Sequence, residues 1–262
     1  MQRPLVHWLA IFSAVLALLS IATGAFVSSE KMPEGQQFTL VSPDLHRYAG
    51  EVVVVLLLVV AGGVLSSPAL KWMRGLVLAA VALGAAAGFS YALPILHACV
   101  APLFFAAAVC IALFTSASLE KGVQPFDAKR WPILRPLATL TPFLVALQIS
   151  LGAAYRHKAF GIMPHMGVAM LVALAILGIC VFLMQNLPDN RSLGVAAATA
   201  LTVTLLQVAL GVAVFVMGLL NADSTLAALI SAAAHISNGA LTLAASTFLA
   251  IQIRRGAAEP GV

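Results

Sequence analysis

The sequence predicts an all-α integral membrane protein: eight transmembrane helices arranged as two pseudo-symmetric four-helix bundles. Three observations carry this. Hydrophobic residues make up 62% of the chain and charged residues 9%, where a water-soluble domain needs roughly a quarter charged. Apolar runs continue almost from end to end, so this is not one anchor beside a soluble domain. The chain also resembles itself across its middle.

Taken in order, the apolar stretches cover about 6–28, 46–66, 73–92, 94–117, 133–154, 165–186, 193–220 and 226–253. Each can cross a hydrocarbon core of about 30 Å. The first run, Leu9 to Val27, is longer than the ~7–15 residues of a signal-peptide core and is expected to be a retained helix. The breaks fall at Ser66-Ser67-Pro68, Pro94, Gly122 to Pro132, Pro164 and Leu187 to Asn190, residues that end helices or form turns. Pro94 makes a tight hairpin of the third and fourth runs.

Lysine and arginine report orientation. One side holds Arg3, Lys71, Arg74, Lys121, Lys129, Arg130, Arg135, Arg191, Arg254 and Arg255; the other holds Lys31, Arg47, Arg156 and Lys158. Ten against four predicts that both termini lie in the cytoplasm of a multi-pass cell-membrane protein. The net charge of +5 is thereby explained as topology signals, with no nucleic-acid partner expected. Cys99, Cys110 and Cys180 stand far apart in apolar runs, which argues against a disulfide framework.

A basic connection, 118–132, divides the chain into an N-terminal unit, 1–117, and a C-terminal unit, 133–262. Gly24-Ala-Phe-Val closes the first helix and Gly152-Ala-Ala-Tyr the fifth. His46-Arg-Tyr-Ala-Gly answers His165-Met-Gly-Val-Ala, and Leu96-His97-Ala98 answers Ala234-His235-Ile236. A four-helix repeat keeps both copies in one orientation, related by an axis along the membrane normal.

His46, His97, His165 and His235 then open the second, fourth, sixth and eighth helices, all at the outer face. Ionisable residues at that depth are costly and mark functional sites. Two helices starting from one face can aim imidazoles across a bundle core, the way bundles hold a haem. A helix N-terminus favours the neutral imidazole that iron requires. Arg47, Arg156 and Lys158 stand where propionates would emerge. Snorkelling interfacial histidines and a bare zinc or copper site are the alternatives. The latter lacks carboxylates beside His97, His165 and His235 to orient metal-bound rings. His7 reads as interfacial, and His157 as a solvated loop residue.

With its His-Arg opening helix two, Leu-His opening helix four and Leu-Gly-Ala-x-x-Arg-His closing helix five, the chain resembles the haem A synthase family over its whole length. Gly24-Ala25, His46-Arg47, His97, Gln148 to His157, His165, Leu206-Gln207 and His235 carry the likeness. That family oxidises the C8 methyl of haem O during cytochrome oxidase assembly. The resemblance implies that His46 and His97 ligate a substrate haem such as haem O, while His165 and His235 ligate a haem b cofactor. Haem O synthase and respiratory-complex subunits are the partners it suggests beside the lipid bilayer. The family's catalytic glutamate falls at Pro43 here, and its cysteine-containing first outer loop has no cysteine in Ser28 to Leu45. Glu51, Asp44 and Glu34, with Glu30, are the carboxylates left near the substrate haem. Two other functions fit the sequence: a non-catalytic dihaem b cytochrome, and a haem-free transporter or scaffold.

Overall fold

The computed structural model describes residues 3–29, 41–116, 119, 123–222 and 225–257. Within them lie eight helices long and apolar enough to cross a membrane, and no strands. The chain is therefore a multi-pass α-helical membrane protein. Its helices are α1 (Arg3–Ser29), α2 (Pro43–Ser66), α3 (Arg74–Phe89), α4 (Pro94–Thr115), α5 (Leu134–Arg156), α6 (Ile162–Asn186), α7 (Arg191–Leu219) and α8 (Leu226–Gly256). Short 3-10 turns, Pro68–Met73 and Ser90–Ala92, extend α3 at both ends so that it too crosses.

Local chemistry sets these boundaries. Proline occupies the first helical position of α2 and α4, where a missing N–H is harmless. Side chains cap three starts: Ser42 Oγ accepts from Asp44 N, Asn190 Oδ1 from Leu193 N, and Thr225 Oγ1 from Ala228 N. Pro164 differs from the expectation of a break. It is the third residue of α6, inside a first turn that tolerates it, and the helix begins at Ile162. Beyond Leu187 the chain turns back through Asn190, whose Nδ2 also donates to Gln124 O.

The helices close into two rings. In the first, α1 packs on α2, α2 on α3, α3 on α4 and α4 on α1; the second repeats this with α5, α6, α7 and α8. Even-numbered helices are diagonal within each ring and start at the same end. The rings join where α4 meets α8, flanked by α4 against α5 and α1 against α8. This is the contact set a pseudo-twofold exchange of the halves requires. Small residues are buried along α8, among them Ala233, Gly239, Ala240, Ala244 and Ser246, letting neighbouring backbones approach; Gly239 faces Gln207 on α7. The described part of the central connection lies along the C-terminal ring, with Phe126 N donating to Gly256 O at 3.0 Å. A Cβ on Gly256 would stand 2.9 Å from the Phe126 ring, so only glycine admits this close approach.

Candidate functional site

The ring topology brings the four histidines together two by two. His46 on α2 and His97 on α4 have ring centroids 6.0 Å apart with planes at 86°. His165 on α6 and His235 on α8 stand 6.3 Å apart at 82°. His46, His97 and His165 are each the fourth residue of their helix, as the sequence reading expects of residues that open a helix. His235 corrects that expectation. It is the tenth residue of α8, two and a half turns in, so a helix N-terminal dipole cannot be what favours its neutral form.

Each imidazole leans on the helix that precedes it. His46 Nδ1 donates to Ser20 O on α1 at 3.0 Å, with Thr23 Oγ1 at 3.3 Å. His97 Nδ1 donates to Ala87 O on α3 at 2.9 Å, and His165 Nδ1 to Gln148 O on α5 at 3.2 Å. A carbonyl only accepts, so these three rings carry their proton on Nδ1 and leave Nε2 as the ligand atom, although His165 Nε2 also lies 3.3 Å from Gln148 Nε2 on the anchoring helix. His235 is held otherwise: its Nδ1 is buried without a partner, and its Nε2 meets Gln207 Nε2 at 3.4 Å.

Glycine makes room for the rings. A Cβ on Gly24 would come within 2.6 Å of His46 Cε1, one on Gly152 within 2.9 Å of His165 Cε1, and one on Gly211 within 3.0 Å of His235 Cε1. Four residues before each glycine, hence on the same helix face one turn earlier, stand Ser20, Gln148 and Gln207. Gln207 is oriented by Asn238 Nδ2, which donates to its Oε1 at 2.9 Å and to Val203 O at 2.8 Å. The Gln148 amide nitrogen is drawn 2.9 Å from His165 Nδ1 while its Oε1 is buried without a partner. Because His165 carries its proton on Nδ1, that amide nitrogen finds its acceptor in His165 Nε2, 3.3 Å away. These glutamines and glycines have site roles that sequence reasoning did not assign. Their signal was there in Leu147-Gln148-Ile-Ser-Leu-Gly152 and Leu206-Gln207-Val-Ala-Leu-Gly211.

Arg156 continues the α5 series Gln148, Gly152, Arg156, one turn further toward the histidine end. It is half-buried and its Nη1 is enclosed with no hydrogen-bond partner. His157 caps α5 rather than lying solvated in a loop: its Nε2 is equally enclosed and unpartnered. Burial, and then the neighbouring Arg156 charge, lower the His157 pKa below its usual range. An enclosed guanidinium N–H without a partner is costly unless an anionic or acceptor group joins it.

The N-terminal carboxylates point elsewhere. Asp44 and Glu51 flank Arg47 at 3.8 and 3.7 Å, with all three side chains more than 60% exposed. The buried face of α2 is Val53, Leu57, Val60 and Val64, in register with His46; five residues of helix put Glu51 about 140° around from it. Neither carboxylate is brought to the His46 ring. Arg47 also lies over the Tyr48 ring at 5.0 Å. Glu30 and Glu34 lie outside the described residues.

Among the described residues, no three His, Cys, Asp or Glu side chains converge as a bare metal ion needs. A metal with its own equatorial ligands asks less of the protein. An imidazole bond of about 2.0–2.1 Å on each side of a metal puts two ring centroids roughly 6 Å apart, which both pairs match. In spacing, both pairs would suit a metal that brings further ligands of its own, with Gln148 and Gln207 to be displaced from Nε2 of the C-terminal pair. The fold and site together define a class: an α-helical membrane protein with two facing-histidine centres, one per four-helix ring. No protein-family model matches the chain, and no curated protein matches it.

Proposed function

We propose that the chain is a membrane haem protein holding one haem between His46 and His97 and another between His165 and His235. The observation carrying this reading is the repeated pair geometry, with three of four imidazoles fixed by backbone carbonyls through Nδ1. Such outer bonds hold a ligand histidine's tautomer and ring angle. Iron in a macrocycle supplies reversible one-electron chemistry. The protein would supply the ligand imidazoles, the glycine recesses, and in the C-terminal ring Arg156, with His157 beside it, to hold a propionate. Arg47 is the corresponding cation at the N-terminal site. Pyridine haemochrome analysis of the purified protein is expected to give two haems per chain, falling to one in His97→Ala and to one in His235→Ala. A wild-type protein without Soret absorbance would sink the reading.

The resemblance to haem A synthases supports a more specific activity, oxidation of the haem O C8 methyl at the N-terminal site, for which His165 and His235 would hold a haem b able to relay the electrons to an external acceptor. Asp44, Glu51 and Glu34 are the groups to move protons or steady charge there. If the set Glu30→Gln, Glu34→Gln, Asp44→Asn and Glu51→Gln together leaves haem A production intact, that mechanism fails. One observation favours a second reading, a dihaem b cytochrome without catalysis: Asp44 and Glu51 face outward on Arg47. Mass spectrometry of extracted haem separates the two, since the cytochrome contains haem b alone. The placement we propose is the cell membrane, termini in the cytoplasm and haem sites toward the outer face.

A further inference from the structure

At the membrane end opposite the histidines, we infer that a groove between α5 and α8 binds an anionic phospholipid, an inference independent of haem. Its volume is about 470 Å³, and Arg135, Pro136, Thr139, Leu140, Phe143 and Arg254 line it. The lining is graded along the helix axis. Arg135 is the second residue of α5, and Arg254 sits in the last turn of α8, so both guanidinium groups lie at one end. Phe143, eight residues further along α5, stands about 12 Å deeper.

The two ends differ in chemistry. Arg254 Nη1 donates to Thr139 Oγ1 at 3.4 Å, which holds its fork beside the groove. Neither Arg135 nor Arg254 meets a carboxylate among the described residues, where every ion pair belongs to Arg47. Deeper in, Leu140 and Phe143 are 51% and 69% exposed, on a face that hydrocarbon covers in a bilayer. Two unpaired cations above an uncovered apolar wall match a phosphate head with a negative charge and an acyl chain below it. A free inorganic anion has no use for the wall, and a zwitterionic lipid gains less from two arginines.

Native mass spectrometry of the purified full chain, titrated with phosphatidylglycerol against phosphatidylcholine of the same chains, tests this. Wild type is expected to retain phosphatidylglycerol preferentially. Arg135→Gln with Arg254→Gln should lose that preference by roughly thirtyfold, the scale expected for two interfacial charges. Arg135→Lys with Arg254→Lys should keep most of it. Arg135→Gln alone breaks no hydrogen bond within the protein and still should weaken retention, which covers the case of a double variant that does not fold. Lys71→Gln with Arg191→Gln removes equal charge from the same end and should change nothing. Equal retention by wild type and the arginine variants, or an equal loss in the Lys71 and Arg191 control, would overturn the site.

Discussion

At the residue scale, the closest packing in the site is between glycine and imidazole. Alanine for glycine within a helix ordinarily stabilises by about 1 kcal/mol. Gly152→Ala is expected to do the reverse to function: its Cβ would sit 2.9 Å from His165 Cε1, so the ring must swing off its carbonyl anchor. We expect thermal stability within about 1 kcal/mol of wild type, yet haem affinity in the C-terminal ring reduced about 10–100-fold, read from Soret titration. Gln207→Leu should act similarly on the His235 side, with a shift in that haem's midpoint potential in a redox titration; an unchanged potential and affinity would deny Gln207 any role. Residues such as these were legible only in part. The repeated Leu-Gln-x-x-Leu-Gly is visible in the string, but which glycine faces which histidine depends on helix rotation, and sequence periodicity is weak in helices that are apolar all round.

At the element scale, helix existence and order were readable because membrane-length apolar runs are hard to mistake and the prolines mark their ends. The depth of His235 was legible in the run from 226, which already put it in tenth position, but the match to His97 in the other half reads it as opening the helix. The stretch Leu226 to Ala234 is as apolar as a membrane span, so the helix start is readable there while the depth at which lipid ends is not. The outward turn of Glu51 was equally hidden: its pairing with Arg47 fixes it on a face that His46 does not share. Independence of the two rings follows from their separate histidine pairs. His46→Ala is expected to remove one haem while leaving the spectrum and potential of the other unchanged, as redox difference spectroscopy on the variant would show.

At the scale of the whole molecule, the duplicated pattern in the sequence has a physical counterpart in two rings joined through α4 and α8. Fully buried small residues concentrate on α8, among them Ala240. Ala240→Leu adds three methyl-sized groups to a tight core and should cost about 1–3 kcal/mol, possible to follow by thermal denaturation in detergent. Charge asymmetry belongs to this scale as well. A reporter that fluoresces only in the cytoplasm, fused after Val262, should be bright, whereas one fused within the α4-side outer turn at Tyr91 should be dark; the opposite pattern would invert the topology.

The offset of His235 along α8 has a kinetic consequence. Facing His165 in the fourth position of α6, it leaves α8 running about 9 Å further out than α6 on that side. At the other pair both histidines stand in the first turn, and among the described residues α2 and α4 form no comparable collar. On the proposed haem-binding reading, this offset favours slower release from the C-terminal ring: challenged with apomyoglobin as a haem sink, the protein is expected to surrender the His46–His97 haem before the other.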